Sequence, residues 1–434
     1  MKVLLVGSGA REHALAWKLR QSKLVDDLLI WPGSPTMDPL GTRLAMGLDA
    51  GMADVARLAR NQGVDFVVVG PEQPLADGFA DACADLKLPC FGPVAAAAQL
   101  ESSKAFAKDV MKAAGIPTAG FAVVQGEAAC RKTAEQYLAN SGGAVIKASG
   151  LASGKGVFVC KSQADIDEGI ERLYRSGMAK AAETVVIEEV LVGRECSFFV
   201  FLGAGEPTPL GFAVDHKRLK DGDEGPNTGG MGCYTPVPWL PSDAGETVMK
   251  KVVHPLLVEL TKRGMNYTGC LYVGLMWSEK GPSVVEFNVR LGDPEAEVLA
   301  LHDKRDWARL IAAKVGLIEE NREFVAAAAQ NAGASVCVVL ASPCYPYGEG
   351  APQRFEVPRD VFENGAQDVQ VFAAAVREEQ GRLMTGRGRL LTVCSHGKDF
   401  TEARRHAYAH IKKIAAHWHG VQYRHDIGSG LVEG

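Results

Sequence analysis

The sequence lacks several features that would place the chain in a specialised class. Its ten cysteines include no C-x-x-C pair, and the spacings of Cys83/Cys90 and Cys337/Cys344 are too wide for a zinc knuckle. No apolar run is long enough to span a membrane, and Met1–Val6 is too short for a signal peptide. We therefore expect a soluble cytoplasmic protein whose cysteines are reduced and mostly buried.

The chain also lacks an excess of charge of either sign. Its net charge is −5, and acidic and basic residues are interspersed along all 434 positions, so neither a nucleic-acid partner nor a membrane partner is expected. Hydrophobic residues make up 47% of the chain and charged residues 23%, which is typical of a globular protein. The length indicates roughly two to four domains.

The first hundred residues alternate apolar strands with helices. Residues 2–6 predict a strand, a helix follows to about Gln21, and Leu28–Trp31 and Val64–Val69 predict further strands. Continuous apolar strands separated by helices indicate a parallel sheet that is covered on both faces. The fold class is therefore α/β here, and we assign a doubly wound domain to residues 1–102.

Two glycine turns follow strands of this predicted sheet, at Gly7–Gly9 and Gly70–Glu72. Ligands of such sheets bind at the carboxyl ends of the strands, so both turns are candidate binding loops. The third glycine of the dinucleotide fingerprint is missing, because position 12 is Glu12. The alternative is that these glycines only make tight turns.

A glycine loop between two strands is the next candidate site. Lys147 lies on the first strand, Gly154-Lys155-Gly156 forms the loop, and Val157–Val159 forms the second strand. A glycine loop in a hairpin is typical of a lid over phosphates, whereas the Walker loop opens a helix. An exposed hairpin turn is the alternative. A helix capped by Ser102 or Ser103 carries Lys104 and Lys108, which a solvated helix face would also explain.

Two further segments suit a nucleotide and an anionic substrate. Strand 185–187 leads into Glu188–Val190, a hinge whose backbone suits an adenine, and Glu195 suits ribose hydroxyls. Residues 215–232 form a polar, glycine-rich segment that we predict to be a long irregular loop. Its basic start and exposed amides suit an anion.

The stretch 284–290 is the strongest candidate for metal chemistry. Its alternation predicts a strand with Glu286, Asn288 and Arg290 on one face, and with Val285, Phe287 and Val289 on the other. A carboxylate and an amide two residues apart suit Mg²⁺, and an arginine beside them suits a phosphate or carboxylate. This combination favours phosphoryl transfer, although a half-solvated strand of mixed charge would show the same pattern.

The C-terminal region changes in character after about residue 320. We predict strands at Ala334–Leu340, Val369–Val376 and Arg389–Val393, and a closing amphipathic helix at Glu402–His417. These elements indicate an α+β domain. Histidines are frequent on the closing helix, but no carboxylate or cysteine completes a metal site with them.

Taken together, these motifs resemble the ATP-grasp ligases, and among them the phosphoribosylamine–glycine ligase (glycinamide ribonucleotide synthetase) family. The resemblance covers nearly the whole chain in the expected order. The G-P-N-T-G-G-M-G run is its most specific part. The matching motifs are Gly9–Leu15, Val69–Glu72, Ser103–Phe106, Lys155–Val157, Asp215–Arg218, Gly225–Gly232, Glu286–Asn288, Gly292–Glu295 and Asp426–Gly428.

The resemblance implies a role for each matching residue. Glu286 and Asn288 would hold Mg²⁺ (or Mn²⁺), and Arg290 and Lys147 would be catalytic. ATP would contact Lys104, Lys147, Gly154, Lys155, Gly156, Glu188, Glu189, Val190 and Glu195. The other substrates would contact Gly9, Glu12, Pro71, Glu72, Asp215, Lys217, Asn227, Thr228, Gly229, Gly230, Met231 and Asp293.

The resemblance also implies the domain organisation and the reaction. An ATP-grasp region would cover residues 103–325, with a lid at about 120–190 and a central sheet at about 191–325, followed by a C-terminal α+β domain at 326–434. The reaction would join glycine to 5-phosphoribosylamine through glycyl phosphate, with ATP consumed, by a monomer or weak homodimer. A non-catalytic nucleotide-binding module is a further alternative.

The chain departs from the family pattern in several places. The departures lie at Ala10, at Ser149 and in three loops, Pro32–Met37, Pro343–Tyr347 and Gly386–Arg389. The three loops surround the expected ribose-phosphate side and leave the ATP strands unchanged. An ATP-grasp ligase of the same class that acts on another amine or amino acid is therefore kept as an alternative.

Overall fold

The computed structural model describes residues 1–151, 156–175, 181–320, 332–348, 353–362 and 368–432. Gly154 and Lys155, two of the expected ATP contacts, lie outside the described residues. Within the described ranges, no helix combines the length and apolar character needed to cross a bilayer.

A five-stranded parallel sheet forms the N-terminal region, in the order β3-β2-β1-β4-β5. Apolar strands flanked by helices produce this doubly wound arrangement, which confirms the predicted α/β class. The predicted strand Val64–Val69 begins later, at Phe66. The elements of this N-terminal region are β1 (Lys2–Gly7), α1 (Ala10–Arg20), β2 (Asp27–Pro32), β3 (Thr42–Arg43), α2 (Met52–Asn61), β4 (Phe66–Val69), α3 (Glu72–Ala76), α4 (Phe79–Asp85), β5 (Cys90–Phe91) and α5 (Ala95–Ser102).

A second, antiparallel sheet of four strands follows, in the order β6-β9-β7-β8. Ser103 caps the helix that precedes this sheet, because its side chain accepts a hydrogen bond from the amide of Phe106 (3.3 Å). Ser103 is one of the two predicted caps. Two helices pack on one face of the sheet. The elements are α6 (Lys104–Ala113), β6 (Phe121–Gln125), α7 (Glu127–Ser141), β7 (Ala144–Ala148), β8 (Val157–Cys160), α8 (Gln163–Arg175) and β9 (Thr184–Glu188).

An eight-stranded sheet extends through the rest of the chain, in the order β16-β15-β10-β11-β14-β17-β21-β18. A small hairpin, β12–β13, lies beside it. The elements up to residue 320 are β10 (Arg194–Leu202), β11 (Thr208–Asp215), β12 (Arg218–Lys220), β13 (Glu224–Asn227), β14 (Gly232–Thr235), α9 (Ala244–Val248), a π-helical turn (Met249–Val253), α10 (His254–Lys262), β15 (Gly269–Ser278), β16 (Gly281–Asn288), α11 (Glu295–His302) and α12 (Trp307–Lys314).

Three C-terminal strands, β17, β21 and β18, extend this same sheet, because β17 pairs with β14, whereas β19 and β20 form a separate two-stranded sheet. Two predictions are wrong in detail here. The segment 215–232 is no irregular loop, since β12 and β13 pair within it. The predicted strand Val369–Val376 is divided into two. The C-terminal elements are β17 (Ala334–Ala341), β18 (Val369–Ala373), β19 (Val376–Glu379), β20 (Arg382–Thr385), β21 (Arg389–Gly397) and α13 (Phe400–Ala415).

Helix α11 joins the two larger sheets. Every residue from Glu295 to His302 is buried, and the helix contacts α1 on one side and β14, β17 and β21 on the other. His13 strengthens the junction, because its Nδ1 accepts a hydrogen bond from the amide of Ala373 (3.0 Å), and burial lowers the pKa of this imidazole to about 4. The N-terminal region also contacts the end of β16, because Arg11 Nη1 donates to Leu291 O (3.1 Å) and Glu72 Oε2 lies 3.2 Å from Arg290 Nε.

Candidate active site

Strand β16 carries a β-bulge at the predicted metal-binding residues. Gly274 of β15 pairs with Glu286, but Leu275 pairs with Val284, so Val285 is the extra residue. Val284, and not Val285, therefore joins Phe287 and Val289 in the core, which corrects the predicted alternation. Glu286 stays half-buried on the opposite face, with Asn288 two residues on at 8% exposure.

The charges of three lysines and of Arg290 act on the Glu286 carboxylate. Burial by itself raises the pKa of Glu286, but Lys217, Lys104 and Lys147 together hold it below its ordinary value. In the part of the chain that the structure describes, no hydrogen bond or ion pair within 4 Å occupies the side chains of Glu286 or Asn288. Their oxygens are therefore free to take a cation, and the lysines are placed to meet the anion that comes with it.

A buried carboxylate lies between two lysines on the lid side of the site. Glu188 Oε2 is 3.0 Å from Lys147 Nζ, and Glu188 Oε1 is 3.2 Å from Lys108 Nζ. Lys108 is 1% exposed, so the solvated-face interpretation of this residue is wrong. Although ion-paired, Glu188 Oε1 has no hydrogen-bond partner among the described residues. Burial lowers the pKa of Lys108 to about 8, despite the opposing effect of Glu188.

The rest of the predicted hinge is held against the start of the lid. The amide of Glu189 donates to Gly120 O (3.0 Å), and its carboxylate accepts from the amide of Gly120 (3.2 Å). The hairpin that begins with Lys147 is closed by a bond from the amide of Ala148 to Gly156 O (2.8 Å).

Arg290 is held in place by three groups. Its Nη2 is 2.7 Å from Glu101 Oε1, its Nε is 3.2 Å from Glu72 Oε2, and its Nη1 donates to Leu291 O (3.2 Å). Glu101 also accepts a hydrogen bond from the amide of Val289 (2.8 Å). Sequence reasoning missed Glu101, because it lies 189 positions from its partner and belongs to no recognisable motif.

Because the resemblance implies a catalytic role for Arg290, we expect Glu101→Gln to lower kcat by about 10- to 100-fold, the cost of a small displacement of such a group. Glutamine keeps an oxygen for the amide of Val289 but removes the charge that fixes Arg290. Initial rates at saturating substrates measure the effect. The control is Asp85→Asn, an exposed carboxylate at the end of α4, and an unchanged kcat in Glu101→Gln contradicts the prediction.

The N-terminal glycine turns enclose the side chain of Glu12. Its Oε2 accepts from the amide of Gly9 (2.8 Å), and its Oε1 accepts from Arg11 Nε (2.6 Å). A Cβ atom on Gly70 would lie 2.2 Å from Glu12 Oε1, so only glycine fits there without displacing this carboxylate. A dinucleotide pyrophosphate would meet the Glu12 carboxylate in this turn, which disfavours a dinucleotide as the ligand.

The expected substrate segment is polar but strongly constrained. The buried Asp215 Oδ1 has no hydrogen-bond partner in the described ranges, and burial together with Glu295 raises the pKa of Asp215. Lys217 is ion-paired with Glu195, the predicted ribose ligand. Met231 is fully buried, its amide donates to His216 O (2.9 Å) and its carbonyl accepts from the amide of Val339 (3.0 Å), so this structure leaves no part of it open to a substrate.

The segment around Gly229 is held by residues that sequence reasoning did not assign. Arg389 Nη1 donates to Gly229 O (2.7 Å) and lies 3.0 Å from Asp293 Oδ1, and the hydroxyl of Tyr345 accepts from the amide of Gly229 (2.8 Å). The hydroxyl of Thr228 forms two hydrogen bonds within the segment. It donates to Lys217 O (2.9 Å) and accepts from the amide of Gly230 (3.0 Å). Pro71 precedes α3, and Asn227 is the last residue of β13.

Ion pairs and electrostatic interactions link Glu188 and Lys147 to Glu286, and Glu286 to Arg290, which contacts Glu72 of the N-terminal region. The chain matches three family models: the phosphoribosylglycinamide synthetase N domain at residues 1–101, its ATP-grasp (A) domain at 102–296 and its C domain at 335–430. It is 39% identical over 430 residues to the phosphoribosylamine–glycine ligase of Rhizobium meliloti (strain 1021), covering 99% of this chain and 98% of that protein. The ligase of Mycobacterium leprae (strain TN) is 38% identical over 437 residues, covering 100% and 99%.

Solved structures show the same architecture. The crystal structure of phosphoribosylamine–glycine ligase from Thermotoga maritima superposes with a TM-score of 0.80 at 33% identity, over 98% of this chain and all of that one. The biotin carboxylase domain of Hydrogenobacter thermophilus 2-oxoglutarate carboxylase, in complex with MgADP and bicarbonate, gives a TM-score of 0.67 at 16% identity, over 97% of this chain and 90% of that one. At that identity the second similarity concerns the fold alone.

Proposed function

The chain belongs to the phosphoribosylglycinamide synthetase family, and from that premise we propose how its site performs the reaction and which residues serve it. The protein is an ATP-dependent carbon–nitrogen ligase that joins glycine to phosphoribosylamine in purine biosynthesis. One observation carries the assignment of its site. Among the described residues no group occupies the side-chain oxygens of Glu286 and Asn288, and the charges of Lys104, Lys147 and Lys217 act on Glu286, as a metal-bound triphosphate requires.

The donor set fits Mg²⁺ that arrives with a nucleotide. The described residues contain no cluster of three or more His, Cys, Asp or Glu side chains able to hold an ion alone. Mg²⁺ commonly takes only one or two protein ligands and completes its shell with substrate phosphates and water. When bound between Glu286, Asn288 and the phosphates, the ion would neutralise charge that develops on the transferring phosphoryl oxygens.

The nucleotide is assigned to the side where the lid meets the central sheet. Lys104 and Lys147 lie beside Glu286 and provide charge for the phosphates. Glu188 Oε1 has no hydrogen-bond partner among the described residues, although it lies 3.2 Å from Lys108 Nζ, so it would accept a hydrogen bond from the amino group of adenine. Glu195 would accept a ribose hydroxyl beside its ion pair with Lys217.

The reaction then has two steps. A carboxylate oxygen of glycine attacks the γ-phosphorus of ATP, the bond to the bridging oxygen breaks, and ADP leaves glycyl phosphate. The nitrogen of 5-phosphoribosylamine then attacks the carbonyl carbon, inorganic phosphate leaves, and the nitrogen loses a proton. Arg290 would stabilise the acyl phosphate. Asp215, whose Oδ1 lacks a partner, would accept a hydrogen bond from a substrate amino group. Closure of the lid would exclude water, which hydrolyses such intermediates.

A phosphate-release assay with a panel of amino acids tests this proposal. We expect ADP and phosphate to form only when ATP, glycine and phosphoribosylamine are all present. In the presence of hydroxylamine, which traps acyl phosphates, glycine and ATP alone should yield glycine hydroxamate. Equal turnover without glycine, or with another amino acid in its place, would favour a ligase of the same class with a different substrate.

A further inference from the structure

Lys108 is a buried cation that the proposed reaction does not use. It lies one turn after Lys104 on α6 and is 1% exposed, although its helix otherwise presents polar residues to solvent. Its ammonium donates a hydrogen bond to Thr118 Oγ1 (2.7 Å) and lies 3.2 Å from Glu188 Oε1. Lysine is almost never buried to this extent unless a charged partner requires it.

The partner of Lys108 is shared with Lys147. The Glu188 carboxylate is 2% exposed and contacts Lys108 through one oxygen and Lys147 through the other, at 3.2 and 3.0 Å. Lys147 Nζ also donates to Val285 O (3.2 Å), and the hydroxyl of Thr118, which accepts from Lys108, donates to Val284 O (2.6 Å). Both lysines are thus linked to consecutive carbonyls at the bulge that precedes Glu286.

One lysine alone cannot both neutralise the buried Glu188 carboxylate and pair with a phosphate. The phosphates of ATP attract Lys147, but a buried Glu188 with no other cation would hold Lys147 back, because an unpaired buried carboxylate is strongly disfavoured. On the basis of the function proposed above, we propose that Lys108 is a positioning residue. It keeps Glu188 neutralised, so that Lys147 can exchange its ion pair with Glu188 for one with the phosphates of ATP.

Binding of a non-hydrolysable ATP analogue with Mg²⁺, measured by calorimetry on the full chain, tests the proposal. We expect Lys108→Met to weaken binding by about tenfold, which is within the range of coupling between contacting charges. Lys108→Arg should restore most of the affinity, because it restores the charge. Lys112→Met removes an exposed lysine from the same helix and should bind like the unmodified protein. The KM for glycine should change less than twofold in Lys108→Met.

A double substitution separates the charge role from a packing role. In Glu188→Gln no carboxylate remains to be neutralised, so adding Lys108→Met should weaken binding no further. If Lys108→Met alone does not fold, the two proteins that carry Glu188→Gln, with and without Lys108→Met, can still be compared. The proposal is overturned if the second substitution weakens binding tenfold in both backgrounds, or if folded Lys108→Met binds with unchanged affinity. Absence of binding by the unmodified protein would instead refute the proposed function.

Discussion

Glu286→Gln is expected to lower kcat by more than about 100-fold. Substituting a residue that only supports a metal ligand already costs roughly 10- to 100-fold in activity, and Glu286 would be a ligand itself. The replacement keeps the size of the side chain and removes the charge that would hold the cation. Metal-free ATP should nevertheless bind at least as well as before, because Lys104, Lys147 and Lys217 would no longer be partly neutralised. Initial rates against Mg²⁺ concentration, together with metal-free ATP binding, measure the two effects.

A matched control lies on the same hairpin. Glu279 is an exposed carboxylate at the turn between β15 and β16, so Glu279→Gln changes the same charge at a distance from the site. We expect its Mg²⁺ dependence to match that of the unmodified enzyme. If Glu286→Gln keeps half of the activity with an unchanged Mg²⁺ dependence, Glu286 does not hold the metal.

Arg290→Lys is expected to lower kcat by about 10²- to 10³-fold, the usual cost of losing one preorganised group that stabilises a transition state. Lysine keeps the positive charge, but it cannot reach Glu101, Glu72 and Leu291 O at once as the guanidinium does. The KM for ATP should change little, because the nucleotide phosphates are assigned to Lys104 and Lys147. Steady-state rates with each substrate varied in turn separate the two effects.

The control for this variant is Arg263→Lys. Arg263 also bridges two carboxylates, Glu259 and Asp109, each at 2.8 Å, but it does so at the protein surface. Lysine keeps the positive charge beside both carboxylates, and none of these residues is assigned to the site, so the substitution should leave the rate unchanged. A normal kcat in Arg290→Lys would show that charge alone suffices, and would remove Arg290 from the catalytic groups.

Local sequence patterns predicted most of the secondary structure around the site. The strand–turn–helix at Gly7–Gly9, the cap at Ser103 and the strand that carries Glu286 depend on hydrogen bonds and sterics within a few residues, so a short stretch suffices to predict them. The β12–β13 hairpin was missed because its pairing residues are polar and glycine-rich and show no apolar alternation. Val285 was assigned to the wrong face of the strand, because the alternation of apolar and polar residues does not show where a bulge lies.

The sequence by itself determined the order of strands and helices, the polar residues at the ends of strands and the similarity to ATP-grasp ligases, since all of these are properties of neighbouring residues. Only the tertiary structure decided that Lys108 is buried against Glu188, that Glu101 fixes Arg290 and that the C-terminal strands continue the central sheet. The physical reason is the same in each case. Whether a charge meets water or a partner depends on groups far apart in the chain, and only their packing brings those groups together.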